Sequence, residues 1–340
     1  MPAPPPRSFV LLAAVLGCAL LSGCATPVAG TARSDAPPAD GSPYVLVLGT
    51  AQDAGKPQIG CRDACCEAAR RDPALRRLAS SLLVADPASG GRWLLDASPD
   101  LREQMDRAVG HPPTRDLPGP RPPLVDGVYL THVHMGHFAG LLHLGPEAYS
   151  ARQLPVFGTA RLRSFLADNE PWRFLVTQGH FDLRSFEPGA PHAPTGPDGR
   201  PVDGLTIEAF RVPHRDELSD TVGFLVRGPR RTLAYLPDVD AWERWDLPLE
   251  DFLAGVDLAL VDGTFYADGE VPGRDLSEIP HPFISRTVER LADAPPELRA
   301  KVRFLHLNHG NPAGDPGSAA AAAVRAAGMA VVREGEVFAL

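Results

Sequence analysis

The distribution of hydrophobic and polar positions predicts a mixed α/β domain from residue 44 onward. Short apolar runs of strand length alternate there with segments of helical periodicity. Leu205–Val212 alternates apolar and polar residues, as a strand with one buried face does, whereas Tyr44–Gly49 is apolar up to its final glycine. The other strand candidates are 81–85, 93–96, 127–131, 155–158, 221–227, 232–236, 256–261, 302–307, 329–332 and 336–339. The helix candidates are a segment that opens at Ser98 and the ranges 160–168, 283–292 and 318–327.

The order of these elements predicts the fold class. The strands cluster in two halves, each followed by helices, and a Pro/Gly-rich segment at 188–203 separates the halves. This order is typical of two sheets packed face to face with helices outside. We therefore expect residues 44–340 to form one α/β domain, an αββα sandwich of two mixed sheets with outer helices.

The residues before this domain show a different pattern. Residues 8–22 form an apolar stretch that is too short to span a bilayer comfortably, and it leads into Leu21-Ser22-Gly23-Cys24. That sequence resembles a bacterial lipobox, which implies a lipoprotein signal peptide at 1–23 and acylation of Cys24. Residues 24–43 would then be a flexible acylated tether. We expect an exported, membrane-anchored lipoprotein that faces the periplasm or the outer membrane; an ordinary membrane anchor and a cleaved signal without lipid are the alternatives.

The charge of the chain disfavours a nucleic-acid partner. Its formal net charge is −9, and lysine and arginine form no long basic stripe of the kind that binds phosphate backbones. We expect a small molecule as the substrate, and the sequence gives no basis for an oligomeric state.

A dense group of histidines marks the candidate site. The segment Thr131–His137 follows a predicted strand and carries histidine at 132, 134 and 137. His132 and His134 alternate, so their imidazoles project to the same side of an extended backbone. Imidazole is the commonest zinc ligand in proteins, and the spacing therefore predicts a metal site.

The segment also resembles the HxHxDH motif of the metallo-β-lactamase superfamily, and further motifs follow in that family's order. The resemblance implies that Asp96, at the end of a strand, supports the histidine loop from behind. It implies the following ligands: His132, His134, His214 and Asp238 for one metal, and His137, His306 and the same Asp238 for a second.

One position departs from the family motif. The aspartate that usually binds the second metal falls on Gly136, which has no side chain. A single metal, a weak second metal, and a second metal completed by water or substrate are the alternatives, and we expect one tight and one weak zinc ion. Zinc lowers the pKa of bound water from roughly 15.7 towards about 7, which gives a hydroxide nucleophile at neutral pH. The same ligands also suit iron.

Segments around the ligands resemble coenzyme PQQ synthesis protein B more than they resemble β-lactamases or glyoxalases. They are 95–102, 262–265, 274–276 with the following His281, and 308–312. Members of that family carry a degraded histidine cluster, whereas this chain keeps three of its histidines.

The chain also has features of the phosphonate-pathway cyclic phosphodiesterase family, which holds a structural zinc on an early cysteine cluster and a late histidine. This resemblance implies a structural zinc on Cys61, Cys65, Cys66 and His309, with Asp63 at the middle position of the C-x-C-x-x-C spacing. Unligated surface thiols are the alternative.

The same phosphodiesterase family carries a histidine that assists the leaving group, and His281 lies in the corresponding place. A helix-capping or loop histidine is the alternative. Asp262 and Thr264 follow a predicted buried strand and either line the same cleft or form a turn.

The leading functional expectation is a metal-dependent hydrolase in which a metal-bound hydroxide attacks a phosphodiester or a small ester. Asp238 and His281 would be its catalytic residues. The alternatives are an iron-dependent hydroxylase of the PQQ-biosynthesis type and a non-catalytic lipoprotein that binds a small molecule or a metal.

Overall fold

The computed structural model describes residues 1–2, 35–112, 123–271, 273, 275–276 and 279–340. Residues 3–34 lie outside these ranges, and they include all but the first two residues of the predicted signal peptide, the predicted lipidation site Cys24 and the first part of the tether. The contacts of the chain group Arg33–Leu340 into one unit. Within the described ranges, no helix combines the length and the hydrophobicity that crossing a membrane requires.

The domain contains two β-sheets whose strands follow most of the predicted apolar runs. The strands are β1 (Tyr44–Gly49), β2 (Ser81–Asp86), β3 (Gly91–Leu95), β4 (Gly127–Tyr129), β5 (Leu154–Gly158), β6 (Phe181–Ser185), β7 (Thr206–Arg211), β8 (Val222–Arg227), β9 (Thr232–Leu236), β10 (Leu258–Asp262), β11 (Val302–Leu305), β12 (Ala330–Val331) and β13 (Val337–Ala339). The first sheet has the order β13-β1-β2-β3-β4-β5-β6 and the second the order β12-β11-β10-β9-β8-β7. Both sheets are mixed. The parallel pairs are β3–β4, β4–β5 and β5–β6 in the first sheet and β9–β10, β10–β11 and β11–β12 in the second.

Helices connect the strands in both halves. They are α1 (Ala64–Arg71), α2 (Leu101–Arg107), α3 (Met135–Phe138), α4 (Ala160–Asp168), α5 (Trp172–Thr177), α6 (Leu249–Ala254), α7 (Ile284–Arg290), α8 (Pro296–Arg299) and α9 (Ala319–Ala326). Helix α4 begins where predicted because the Thr159 hydroxyl accepts a hydrogen bond from the Leu162 amide, and Ser318 caps α9 in the same way through Ala321.

The apolar side chains form three layers, which explains the near-continuous hydrophobicity of the central strands. In β1, Tyr44 and Leu46 point into a layer between the first sheet and helices α2 to α5, whereas Val45 and Val47 point into a layer between the two sheets. A third layer lies between the second sheet and helices α6, α7 and α9. Because a strand covered on both faces has no solvent side, its sequence does not alternate. The predicted αββα sandwich is confirmed.

Several element bounds differ from the sequence prediction. The runs 127–131 and 302–307 end as strands at Tyr129 and Leu305, because the following residues leave the sheet. His306, for example, has the left-handed φ of 60°. The edge strand β6 was not predicted, and neither was α1, which contains two of the three candidate cysteine ligands.

The topology places the ends of several strands at one edge of the sandwich. Parallel strands β3 and β4 end side by side in the first sheet, and β9, β10 and β11 do so in the second. The carboxyl ends of parallel strands form the crevice in which open α/β sheets bind ligands. The histidine motif, Asp238 and His306 all follow these strand ends directly.

The layer between the sheets should dominate stability. Phe224 of β8 is fully buried there and makes an edge contact with the ring of Tyr129 across the sandwich. We expect Phe224→Ala to lower the free energy of unfolding by about 3–5 kcal/mol, measured by urea denaturation. The matched control is Phe174→Ala in α5, where the side chain is 45% exposed, and it should cost less than about 1 kcal/mol. Equal losses in both variants would contradict this assignment of the core.

Candidate metal centre

The histidine-rich site lies at the joined edges of the two sheets, where loops after β4, β7, β9, β10 and β11 meet. His132 and His137 are 1% exposed and so is His306, while Asp238 is 4% exposed. Imidazoles and a carboxylate therefore share a buried space in which no apolar packing separates them. The structure brings together all six of the predicted active-site ligands, and they fall into two adjacent subsites.

The first subsite consists of three imidazole nitrogens. His132 Nε2 lies 2.9 Å from His134 Nδ1, and His214 Nε2 lies 3.2 Å from the same His134 atom. Asp238 Oδ1 approaches His214 Nε2 at 3.6 Å. Two atoms that each lie about 2.1 Å from one ion can be at most about 4.2 Å apart. The spacing of these donor atoms therefore fits a single metal ion.

The second subsite uses the other oxygen of Asp238. His137 Nε2 and His306 Nε2 lie 2.9 and 3.4 Å from Asp238 Oδ2. All three atoms are buried, and none has a hydrogen-bond partner. Buried polar atoms are ordinarily satisfied, so three that converge without hydrogen bonds fit the donor set of a cation. Asp238 thus faces one subsite with each of its carboxylate oxygens.

Hydrogen bonds behind the site decide which ring nitrogen faces inward. His137 Nδ1 binds Asp96 Oδ2 at 2.8 Å, and His214 Nδ1 binds Asp240 Oδ1 at 3.0 Å. An ionised carboxylate only accepts, so both Nδ1 atoms are donors. Each Nε2 can then offer a lone pair to a metal, which is the usual role of a carboxylate behind a ligating histidine.

Two threonine hydroxyls orient the rings of His132 and His306 in a similar way. Thr131 Oγ1 donates to Asp96 and Thr264 Oγ1 donates to Asp262 Oδ1, so each hydroxyl can accept from a histidine. They lie 2.9 Å from His132 Nδ1 and 3.0 Å from His306 Nδ1. His134 is turned the other way: its Nε2 lies 3.2 Å from Glu217 Oε2, which leaves Nδ1 for the first subsite.

The pKa values of the site residues are shifted because several titratable groups are buried close together. Burial, with the charge of His137 adding to it, holds the pKa of His132 well below its usual value. Burial also opposes protonation of His137, but the carboxylates of Asp238 and Asp96 raise its pKa well above the usual value. Burial alone would raise the pKa of Asp238, yet the imidazoles of His306 and His137 hold it far below. A metal ion and a proton compete for His137 Nε2, so binding of the ion releases a proton.

His281 belongs to the site rather than to the following helix. Its Nδ1 lies 2.7 Å from Asp262 Oδ2 and 4.0 Å from Asp238 Oδ1, whereas the N-cap of α7 is Phe283. Burial opposes its charge, but the carboxylates of Asp262 and Asp238 raise the pKa of His281 to about 9. Asp262 and Thr264 therefore do not merely form a turn, because they contact both His281 and His306.

Three acidic residues at the site were not predicted from the sequence: Glu217 behind His134, Asp240 and Asp53. Asp240 holds His214, and the Arg244 guanidinium 2.6 Å from its other oxygen holds Asp240 in turn. Asp53, in the loop after β1, forms a group with His137 and His306 in which the ligand atoms lie within 4.8 Å of one another. The spacing Asp238-x-Asp240 could have drawn attention to Asp240, but no local motif marks Asp53.

The cysteine segment forms a second donor cluster at a distance in sequence from the first. The ligand atoms of Cys61, Cys66 and His309 lie within 4.8 Å of one another, and the buried His309 Nδ1 has no hydrogen-bond partner. Burial raises the pKa of the Cys66 thiol to about 12, so the thiolate forms at neutral pH only where a cation replaces the proton.

The structure does not bring Cys65 or Asp63 into that group. Cys65 and Cys66 are consecutive residues of α1, and consecutive helical side chains do not face the same way. Cys65 lines a cavity of about 510 Å³ that His309 also lines, but it does not belong to the clustered group. The Asp63 carboxylate contacts Cys61 Sγ at 3.4 Å, next to the three clustered donors. The structure thus groups Cys61, Cys66 and His309, with Asp63 adjacent and with Cys65 outside the group.

Comparison with known proteins agrees with this geometry. Residues 92–306 match the model of the beta-lactamase superfamily domain. Coenzyme PQQ synthesis protein B of Methylobacterium radiotolerans is 30% identical over 315 residues, covering 86% of this chain and 98% of the relative.

Solved structures give the same result at the level of the fold. Zinc-bound PqqB from Methylobacterium extorquens superposes with a TM-score of 0.71 at 25% identity, covering 87% of this chain and 100% of that one. A diphosphatase from the PhnP family superposes with a TM-score of 0.57 at 19% identity, covering 88% of this chain and 97% of that one, and shares the fold. The chain therefore belongs to the beta-lactamase superfamily, and within it to the relatives of coenzyme PQQ synthesis protein B.

Proposed function

We propose that this protein is a metal-dependent hydrolase that cleaves a phosphodiester or a related small ester. The observation that carries the proposal is the orientation of the five histidines. Each turns one ring nitrogen towards Asp238 or its neighbours, while an acceptor behind it occupies the other nitrogen. Such an arrangement directs one nitrogen of each imidazole towards two cation subsites, where a bound cation would displace the proton of His137. Cations held in this way commonly serve hydrolysis in this superfamily's fold.

The metal ions, when bound, would supply Lewis acidity and an ionised water at neutral pH. The protein's own residues would do the remaining work. Asp238 holds the two subsites at a fixed separation, and Asp96 and Asp240 keep the ligand rings from rotating. Because Asp262 binds His281 Nδ1, the Nε2 atom of His281 is the ring nitrogen left to give a proton to a departing alkoxide.

An ester of phosphoric acid suits the charge at the rim of this cleft. Arg215 follows the candidate ligand His214, and its side chain is 43% exposed and lies 3.8 Å from Glu217 Oε1, so an anionic substrate that contacts it would compete with Glu217. The similarity of fold to a diphosphatase of the PhnP family is consistent with the same class of substrate.

A second candidate function is an oxidative step of the kind that PQQ synthesis requires, with iron on the same histidines. The observation that favours it is the similarity to coenzyme PQQ synthesis protein B over almost the whole length of that relative. Histidine and carboxylate ligands suit iron as well as zinc. Metal analysis of protein purified without added metal separates the two, because dominant iron together with dioxygen consumption would favour oxidation.

The hydrolase proposal predicts a strict dependence on the first subsite. We expect His214→Ala to reduce hydrolysis of bis-p-nitrophenyl phosphate by at least about 100-fold, because loss of a ligand should exceed the 10- to 100-fold loss that follows removal of its hydrogen-bond partner. The matched control is the exposed His143→Ala, which should retain activity. If His214→Ala keeps the wild-type rate, the hydrolase proposal is wrong. Absence of both hydrolysis and dioxygen consumption would favour a non-catalytic binding protein.

We also propose that Cys61, Cys66 and His309 hold a structural zinc ion, with Asp63 as the nearest candidate for a fourth ligand. Backbone amides of Gln58 and Asp63 point at the sulfurs of Cys66 and Cys61, at 3.3 and 3.4 Å, and would stabilise thiolates there. The ion would join the start of α1 to the loop after β11. It would thus fix the two segments that flank the second active-site subsite.

Neighbouring cysteines provide a matched test of this structural site. We expect Cys66→Ser to lose one zinc per chain and to lower the melting temperature by at least about 5 °C, because a few kcal/mol of folding free energy is lost. Cys65→Ser should change neither quantity, since Cys65 is not in the group. Chelation of the wild-type protein without a change in melting temperature would argue for unligated thiols instead.

For the N-terminal region we propose export and lipid anchoring through Cys24. The support is the lipobox-like Leu21-Ser22-Gly23-Cys24 after an apolar stretch. We expect Cys24→Ala to move the full-length protein from the membrane pellet to the soluble fraction after cell fractionation. Cys18→Ala, which changes a cysteine within the apolar stretch, should leave the protein in the pellet. Membrane partitioning that survives Cys24→Ala would exclude the lipid anchor.

A further inference from the structure

We propose that Asp53 is the carboxylate ligand of the second metal subsite, supplied by the loop after β1 in place of the aspartate that the family motif carries at the position of Gly136. The inference rests on the proposed metal centre but not on the hydrolytic reaction. It deepens that proposal by giving the second ion a ligand that the histidine motif itself does not contain.

The first argument is the space around Gly136. A Cβ atom built on this glycine would lie 2.3 Å from Asp53 Oδ1 and 2.6 Å from Asp53 Cα. Any side chain at position 136 would therefore occupy the volume that Asp53 fills. The family's aspartate and Asp53 exclude each other, so the glycine and the acidic loop residue form one arrangement rather than two separate features.

The second argument is the distance to the other ligands. Asp53 Oδ1 lies 3.9 Å from His137 Nε2, within the limit of about 4.2 Å for two ligands of one ion. His306 completes a group whose ligand atoms lie within 4.8 Å of one another. The Nε2 atoms of both histidines are buried and lack hydrogen-bond partners. The Asp53 carboxylate thus lies near two imidazole nitrogens that lack hydrogen-bond partners and already face Asp238.

The third argument is that the loop holds Asp53 in place. The Gln52 amide donates to the Leu307 carbonyl at 2.9 Å, and the Asn308 side chain donates to Gln52 Oε1 at 3.0 Å. These bonds join the loop directly to the residues after His306. Asp53 itself adopts a φ of 22°, a conformation that non-glycine residues adopt rarely and that is found more often at functional sites.

Together these observations give the second subsite two carboxylates, Asp53 and Asp238, and two imidazoles, His137 and His306. The number of charged ligands is the same as in a site with the full HxHxDH motif. Only the position of one carboxylate in the chain differs: it lies in the loop after β1 and not in α3. The second ion should therefore be held more firmly than the glycine at position 136 alone would predict.

The test is the metal content of purified variants, measured by elemental analysis after dialysis against a weak chelator and by the spectrum of cobalt-substituted protein. We expect Asp53→Ala to lose one active-site ion or to bind it at least about 10-fold more weakly, while the first subsite keeps its ion. Asp246→Ala, at an exposed aspartate in the loop before α6, is the matched control and should bind both ions like the wild type. Unchanged affinity for both ions in Asp53→Ala would overturn the proposal.

A second variant tests the steric half of the argument. Gly136→Ala adds no ligand and removes none, but its methyl group must displace Asp53. We expect Gly136→Ala to weaken binding of the same ion that Asp53→Ala affects. The double variant should bind that ion no more weakly than the single variant with the lower affinity. Wild-type metal binding in Gly136→Ala would contradict the proposal. Both variants can be checked for folding by circular dichroism before metal loading.

The outcomes also separate this inference from the proposed function. If the wild-type protein binds two active-site ions but hydrolyses no ester, the function fails while the assignment of Asp53 is still tested by the loss of one ion. If Asp53→Ala binds both ions normally and hydrolysis persists, only the assignment of Asp53 fails.

Discussion

The buried carboxylate of Asp96 holds the ends of the two sheets in a single arrangement. It accepts hydrogen bonds from the Thr131 amide and hydroxyl, from His137 Nδ1 and from the Tyr235 hydroxyl. Thr131 and His137 belong to the histidine loop of the first sheet, whereas Tyr235 lies in β9 of the second sheet. A fully buried carboxylate is costly to desolvate unless such partners surround it. The position of the histidine loop and the packing of the sheets are therefore coupled through one residue.

Asp262 is the corresponding residue of the second sheet. Its carboxylate accepts from the Val239 amide and from the Thr264 amide and hydroxyl, and it contacts His281 Nδ1. Val239 directly follows Asp238, so Asp262 positions the bridging ligand as well as the histidines beside it. Each half of the sandwich thus contributes buried carboxylates that orient the candidate ligands, Asp96 in the first half and Asp262 with Asp240 in the second. These hydrogen bonds explain why the site can be rigid although its candidate ligands lie in loops and in the short helix α3.

Much of this arrangement could be predicted from the sequence, because the ligands follow strand ends that the hydrophobic pattern already marks. A residue directly after a buried parallel strand is placed at the edge of the sheet, so His132, Asp238 and His306 come together whatever the intervening loops do. The resemblance to the metallo-β-lactamase superfamily indicated Asp96, whereas the position of Asp262 after a predicted strand left a role in the cleft and a turn as alternatives. The sequence pattern could not locate the start of α2, where Asp100 leaves the helix end uncapped and accepts a hydrogen bond from the Ala79 amide instead. Long-range contacts of this kind override local capping signals.

The cysteines and Asp53 show which contacts the spacing of residues in the sequence cannot predict. Cys65 and Cys66 are equivalent in the sequence, and only the helical conformation of α1 decides that one sulfur joins the group with His309 and the other does not. Asp53 lies far from the histidine motif in the sequence, and its approach depends on the backbone bonds that tie Gln52 to Leu307. A glycine within a ligand motif is therefore ambiguous when read alone. It marks a lost ligand only if the space it leaves is empty, and here that space contains the carboxylate of another loop.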